Sequence, residues 1–167
     1  DKGNVDLQKV VLQNPIESLS ASGSIKQGVP QQLEIWAQNV HVSTGSIVQS
    51  WMIPSLQDAT GIVSLQAAVR HRTGADSLNL PLASRMDVDG AITVESGQAL
   101  GQPFDRWTAE GTWNRAGFTI NRTRVEAGTT NVQLKGRISE AGKLALDILP
   151  GSYLRLSDLA PSTRKWG

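Results

Sequence analysis

The sequence predicts an all-β domain: a curled, mostly antiparallel sheet with an apolar interior, either an open U-shaped apolar groove or a closed barrel, and one short helix or ordered loop near 44–58. Three observations carry this. Apolar and polar residues alternate with period two over most of the chain, which places one face in a core and the other in water. The pattern apolar-x-apolar-x-Gly-x-apolar recurs at Leu19–Ile25, Met86–Ile92, Trp107–Trp113 and Val132–Ile138. Short turns bearing Gly or Pro separate the alternating runs, and short turns join antiparallel neighbours.

The elements follow in order. Residues 4–13 and 18–26 read as strands split by Gln13-Asn14-Pro15, and Gly28-Val29-Pro30 reads as the next turn. Residues 31–43 alternate as Leu33, Ile35 and Ala37, then switch parity to Val40 and Val42; a similar switch falls between Ile120 and Val125. A parity switch inside a strand means a bulge or corner, since one extra residue turns every later side chain to the other face. Over 44–58, Ile47, Val48, Trp51, Met52 and Leu56 fit one helical face and Pro54 would stop the helix. Further strands are expected at 59–70, 76–82, 84–97, 104–114, 116–127, 130–139 and 142–149, with 98–103 a turn ending in Pro103. Residues 1–150 form a single β-groove domain in this reading, and 151–167 a trailing strand or linker.

The chain also repeats itself. Phe118-x-Ile120, Val125, Val132-x-Leu134-x-Gly136-x-Ile138 and Leu146-x-Ile148 match Val5-x-Leu7, Leu12, Leu19-x-Ala21-x-Gly23-x-Ile25 and Leu33-x-Ile35 at an offset of 113 positions. In a half-buried sheet these apolar residues share one face. Leaving them wet is unfavourable, because burying each Val, Leu or Ile is worth roughly 1.5–3 kcal/mol. Gly23, Gly90, Gly111 and Gly136 lie mid-strand on that face and are expected to bend the strands towards it. The expected groove lining is Leu19, Ala21, Ile25, Leu33 and Ile35, then Met86, Val88, Ile92 and Val94, then Trp107, Trp113, Phe118 and Ile120. Val132, Leu134, Ile138, Leu144, Leu146 and Ile148 complete it.

Composition excludes several function classes. The chain has 167 residues, a net charge of +1, 19% charged and 39% hydrophobic residues, so it is neither disordered nor built for nucleic acid. Its apolar runs are too short for a membrane-spanning helix. With no cysteine, thiolate catalysis, disulfides and zinc–thiolate sites are out. His41 and His71 have no carboxylate at ligand spacing, so no metal site is expected, and no cofactor either. Arg70-His71-Arg72 reads as a solvated turn. Asp87 and Asp89 share a polar face about 7 Å apart by strand geometry, but alternating polar faces produce such pairs routinely. No nucleophile elbow or phosphate loop occurs, so no catalytic residue is assigned. Trp107 and Trp113 are expected inside, Trp36 on the opposite face.

Hairpins carrying apolar-x-apolar-x-Gly-x-apolar strands resemble the TamB and AsmA-like envelope proteins. Gly101-Gln102-Pro103-Phe104-Asp105 through Gly136-Arg137-Ile138, together with Asn39-Val40-His41-Val42, resemble the TamB repeat region, the cyanobacterial or chloroplast-envelope type included. The resemblance covers most of the chain as a pattern rather than a fixed motif. It implies a β-groove between two membranes, in the periplasm or intermembrane space, with the full-length protein anchored in the inner membrane. It also implies an outer-membrane β-barrel insertase as partner, reached through other parts of the full-length protein, and flanking repeats of the same chain. Neither terminal hallmark of the family, anchor helix or insertase-contacting end, is seen, so a middle segment of a longer protein is expected.

The expected function is therefore non-enzymatic: shielding phospholipid acyl chains during transport, or guiding client β-strands in outer-membrane protein assembly. The alternative is a structural β-repeat or adhesin module with a closed core and no ligand groove. The glycine spacings of 38, 29, 21 and 25 from Gly23 through Gly61, Gly90 and Gly111 to Gly136 are too irregular for a solenoid but permit a barrel.

Overall fold

The computed structural model describes residues 3–42, 60–72, 85–99, 101–139 and 143–158. They form β1 (Asn4–Gln13), β2 (Ser18–Lys26), β3 (Val29–Val42), β4 (Thr60–His71), β5 (Met86–Ala99), β6 (Gln102–Asn114), β7 (Gly117–Ala127), β8 (Thr130–Ser139) and β9 (Leu144–Ile148), followed by a 3-10 turn at Leu156–Asp158. The helix or loop expected near 44–58 and the strand expected at 76–82 lie outside the described residues. The nine strands make one sheet in chain order, each antiparallel to the next, and no ladder joins β1 to β9, so the sheet is not closed.

The turns follow from their residues. Asn14 Oδ1 accepts the N–H of Ile16 (2.9 Å) and of Glu17 (2.8 Å), a side-chain mimic of a backbone turn beside Pro15. Between β2 and β3 the turn is Gln27-Gly28, both at positive φ (51° and 78°), as a two-residue hairpin with right-handed strand twist requires. The turn expected at Gly28-Val29-Pro30 is thus one residue earlier, and Val29 and Pro30 already belong to β3. Pro30 lacks an N–H, and it enters the ladder where the β2–β3 register shifts, between Ser24 and Ile25. The turn expected over 98–103 is likewise shorter, since Gln98 pairs with Pro103.

The register shows the repeat at the level of single pairs. In the first copy Val5 faces Ile25, Leu7 faces Gly23 and Val10 faces Ala21; in the second Phe118 faces Ile138, Ile120 faces Gly136 and Thr123 faces Leu134. The bulge between Leu7 and Val10 recurs between Ile120 and Thr123 at the same offset. The third strands agree too: Gly23 faces Leu33, and Gly136 faces Leu146. The parity switch read in 31–43 is a bulge between Ala37 and Val40, with Asn39 in the left-handed region at φ 54°. Past Ile148 the chain kinks at Pro150 and at Gly151 (φ 82°), close to the position equivalent to Asn39. It then rejoins β8 through the Asn131–Tyr153 bridge.

Three of the four mid-strand glycines lie in one row across the sheet. Ala67 faces Gly90, Gly90 faces Gly111, Gly111 faces Ile120 and Ile120 faces Gly136. Gly23 lies one pair over, in the row of Leu33, Val69, Val88, Trp113, Phe118 and Ile138. The second copy is thus staggered against the first by two residues, about 7 Å. Each glycine lies where the neighbouring backbone comes close. A Cβ on Gly23 would collide with the Gln32 carbonyl, and one on Gly136 with the Ala145 carbonyl, the equivalent atom in the other copy. At Gly111 it would stand 2.7 Å from the Thr119 carbonyl oxygen, and at Gly90 3.1 Å from that of Gln66.

The sheet is a single layer. Among the described residues the extensive contacts all join consecutive strands, and only Val42, Met86 and Val94 are buried hydrophobics. The far edge is braced by the tail after β9. Ser152 Oγ accepts the Gln133 N–H (2.9 Å), and Asp158 Oδ2 accepts the N–H groups of Thr129 (3.0 Å) and Thr130 (2.9 Å) and both hydroxyls. Partial desolvation pushes the Asp158 pKa up, but the bonds from the Thr129 and Thr130 hydroxyls, and then from their N–H groups, outweigh it and hold it below the ordinary carboxyl value.

Two outcomes are expected. Gly136→Ala and Gly23→Ala each destabilise the sheet by about 1–3 kcal/mol in urea unfolding, and Gly90→Ala by less, because its Cβ needs only a small shift of its neighbour. The Asp158 brace, whose pKa is depressed by folding, is intact above the ordinary carboxyl range and lost as pH falls through the lowered value. The Thr129 and Thr130 amide NMR signals are expected to titrate in that acidic window, and Asp158→Ala to abolish the titration.

Candidate functional site

Directly paired residues in an antiparallel ladder share a face. Following the pairs from strand to strand sorts the sheet into an apolar face and a polar face. One row of the apolar face runs Leu12, Leu19, Ala37, Leu65, Ile92, Ala109, Thr123, Leu134, Ile148. The next runs Val40, Val63, Val94, Trp107, Val125, Val132. On the other side lie the glycine row and then the row of Gly23 and Leu33. Every lining residue expected from sequence falls on this face, including Met86, which faces His71, and Leu144, which faces Ile138. The rows also add residues absent from that expectation: Val63, Leu65 and Val69 of β4, Val40 and Val42 of β3, and Val5, Leu7, Val10 and Leu12 of β1. The same alternation marked them, and β1 to β3 already carried the repeat.

The face is covered by side-chain neighbours but by no second layer among the described residues. Leu19, Trp113, Leu144, Leu146 and Ile148 count among the exposed large hydrophobics, with Trp113 at 42%. Trp107 is half-buried. Its Nε1–H donates to Thr123 Oγ1 (2.8 Å), whose hydroxyl donates to the Thr108 carbonyl (3.0 Å). The one polar side chain in the row of Leu12 and Leu134 is thereby satisfied, which keeps the strip apolar in effect.

The polar face is laced across strands. Arg72 donates from Nε and Nη2 to Asp87 Oδ1 (3.0 and 2.8 Å), and Arg70 Nη1 to Asp89 Oδ2 (3.1 Å). The stretch expected as a solvated turn, Arg70-His71-Arg72, is instead the end of β4 and its following residue, with Arg70 and Arg72 drawn to the β5 carboxylates and His71 on the apolar side. Asp87 and Asp89 each hold an arginine, which is a structural use of the pair. Further along, Arg122 Nη2 donates to Gln133 Oε1 (2.7 Å) and Arg124 Nε to Asn131 Oδ1 (3.1 Å). An exposed ion pair such as Arg70–Asp89 is worth about 0–1 kcal/mol and mainly fixes register, whereas the Arg72 side chain is half-buried.

His41 does acquire a carboxylate, which its sequence spacing did not reveal. Glu17 Oε1 accepts the His41 backbone N–H (2.9 Å) and lies 3.0 Å from Nδ1. The His41 backbone bond, the Asn14 amide and the His41 ring together hold the Glu17 pKa below its ordinary value. No group of three or more metal-ligating side chains occurs among the described residues.

Hollows of about 790, 310, 430 and 330 Å³ are lined mainly by described residues of the polar face. A twisted sheet is saddle-shaped, so each face is concave along one diagonal. The largest of these hollows lies over β1 to β5 and includes Trp36, which is exposed on the face opposite Leu33 and Ile35 as the alternation predicts. Comparison of the chain with protein-family profiles, with curated proteins and with solved structures finds no match.

Proposed function

We propose that this chain is a non-enzymatic segment of an intermembrane bridge protein. Its apolar face shields lipid acyl chains in phospholipid transport or receives client strands in outer-membrane protein assembly, in a periplasm or intermembrane space. The observation that carries the reading is the apolar face itself: continuous in register across nine strands, and without a second layer among the described residues. An exposed contiguous apolar surface of more than a few hundred Å² marks a binding site. Solvation is the mechanism. An acyl chain laid along the face exchanges water for side chains, at about 0.8 kcal/mol per buried CH₂. No cofactor or energy source is needed in this segment.

Two further features support the reading. The pattern resembles TamB repeat regions, whose groove is apolar inside. The edges also have equivalents within the sheet. The outer edge of β1 corresponds to that of β7, which β6 occupies, and the outer edge of β9 corresponds to that of β3, which β4 occupies. Flanking repeats of the same chain, or client strands, fit edges of this kind through backbone pairing. A closed-core structural module accords less well with an open sheet that buries so few side chains.

Native mass spectrometry of the purified chain tests the proposal. Co-purifying or added phospholipid is expected on the wild type and is expected to be lost from folded Leu134→Asp and Ile92→Asp variants. A wild type that takes up no phospholipid, or variants that retain it fully, would overturn the reading.

A further inference from the structure

The polar face is not uniform. From the end of β4 to β8 several of its long side chains are tied into the ion pairs and amide contacts described above. Over β1 to β4 one area is different. Val11, Ser20, Trp36, Gln66 and Ala91 form a row of direct pairs, flanked by Ser18 and Gln38 on one side and by Ser22 on the other. These residues, Val11 apart, belong to the lining of the 790 Å³ hollow, in which Lys9 is the one charged side chain among the described residues. The size falls in the range of small-molecule sites, roughly 300–1,000 Å³.

Two properties of this area point to a ligand class. Trp36 is 51% exposed, its indole in the middle of the row with Ser20 on one neighbouring strand and Gln66 on the other, each about 5 Å away. And the hydroxyls of Ser18, Ser20 and Ser22, the amides of Gln38 and Gln66, and the Trp36 Nε1–H make no hydrogen bond among the described residues. The ladder holds them side by side on one face. A flat aromatic ring ringed by uncharged donors and acceptors matches a pyranose. The sugar's C–H face can lie on the indole while its hydroxyl rim exchanges hydrogen bonds with serines and carboxamides. A phosphate or carboxylate would find one lysine at the rim, and an acyl chain would find hydroxyls and amides.

We propose that the hollow around Trp36 is a binding platform for a neutral pyranose oligosaccharide. It lies on the face opposite the apolar rows and does not depend on what those rows bind. In an envelope setting, a glycan contact here leaves the apolar face free.

The test is a titration of the ¹⁵N-labelled chain with cellotetraose and, separately, N-acetylchitotetraose, following the tryptophan indole N–H signals. A saturable shift of the Trp36 signal is expected with at least one of them, with the Trp107 and Trp113 signals unmoved. Which sugar binds tells whether acetamido groups take part. Trp36→Ala is expected to weaken binding tenfold or more, and Gln66→Leu, which keeps the indole, several-fold, with far-UV circular dichroism unchanged in both. No saturable shift with either sugar, or affinity unchanged in a folded Trp36→Ala, would overturn the proposal. These results are independent of phospholipid uptake by the wild type and of its loss from Leu134→Asp, so either site can fail alone.

Discussion

The structure depends on register. In a sheet whose side chains alternate with period two, a slip of one residue in any ladder would send an apolar strand to the polar face and a polar strand to the apolar one. Eight ladders have to agree for the rows to run unbroken from Leu12 to Ile148. The bulges absorb the stagger between strands without breaking this agreement, because each shifts parity on one strand where its partner requires it. The bulge after Leu7 and its counterpart after Ile120 sit in equivalent pairs, so the repeat conserves the correction as well as the pattern.

Glycine is what the register demands at its tightest points. Gly23 and Gly136 each face a neighbouring carbonyl so closely that a Cβ has no room, and the two carbonyls, of Gln32 and Ala145, are equivalent in the repeat. On the apolar face the close approaches set small residues, Ala67, Gly90 and Gly111, side by side, with Ile120 between Gly111 and Gly136. On the other face, arginines reaching across to Asp87 and Asp89 hold the same strands from the polar side. The two faces therefore stabilise one register by different means.

Much of this was legible in the sequence. Alternation placed the strands to within a residue or two, and the face of every lining residue followed from parity, because period two leaves only two choices. The bulges at Asn39 and after Ile120 showed as parity switches. What was not legible required knowing which strands touch. Glu17, beside the start of β2, reaches His41 across the β2–β3 ladder, and Arg72 reaches Asp87 across the β4–β5 ladder; no spacing along the chain announces either contact. Pro30 and Pro103 read as turn residues but stand inside strand ends, where a missing N–H is tolerated. The Trp36 platform was invisible for the same reason: Ser20, Trp36 and Gln66 come from three strands and meet only in the folded sheet.

The proposed function requires acyl chains to meet the apolar face and not the polar one. Trp113 and Trp36 are similarly exposed, at 42% and 51%, on opposite faces of the same sheet, so they report on the two faces with similar access. Variants keeping only Trp113 or only Trp36, mixed with phospholipid carrying brominated acyl chains, measure which indole the chains approach. Strong fluorescence quenching of Trp113 and little of Trp36 are expected. Equal quenching of the two, or quenching of Trp36 alone, would contradict the proposed function.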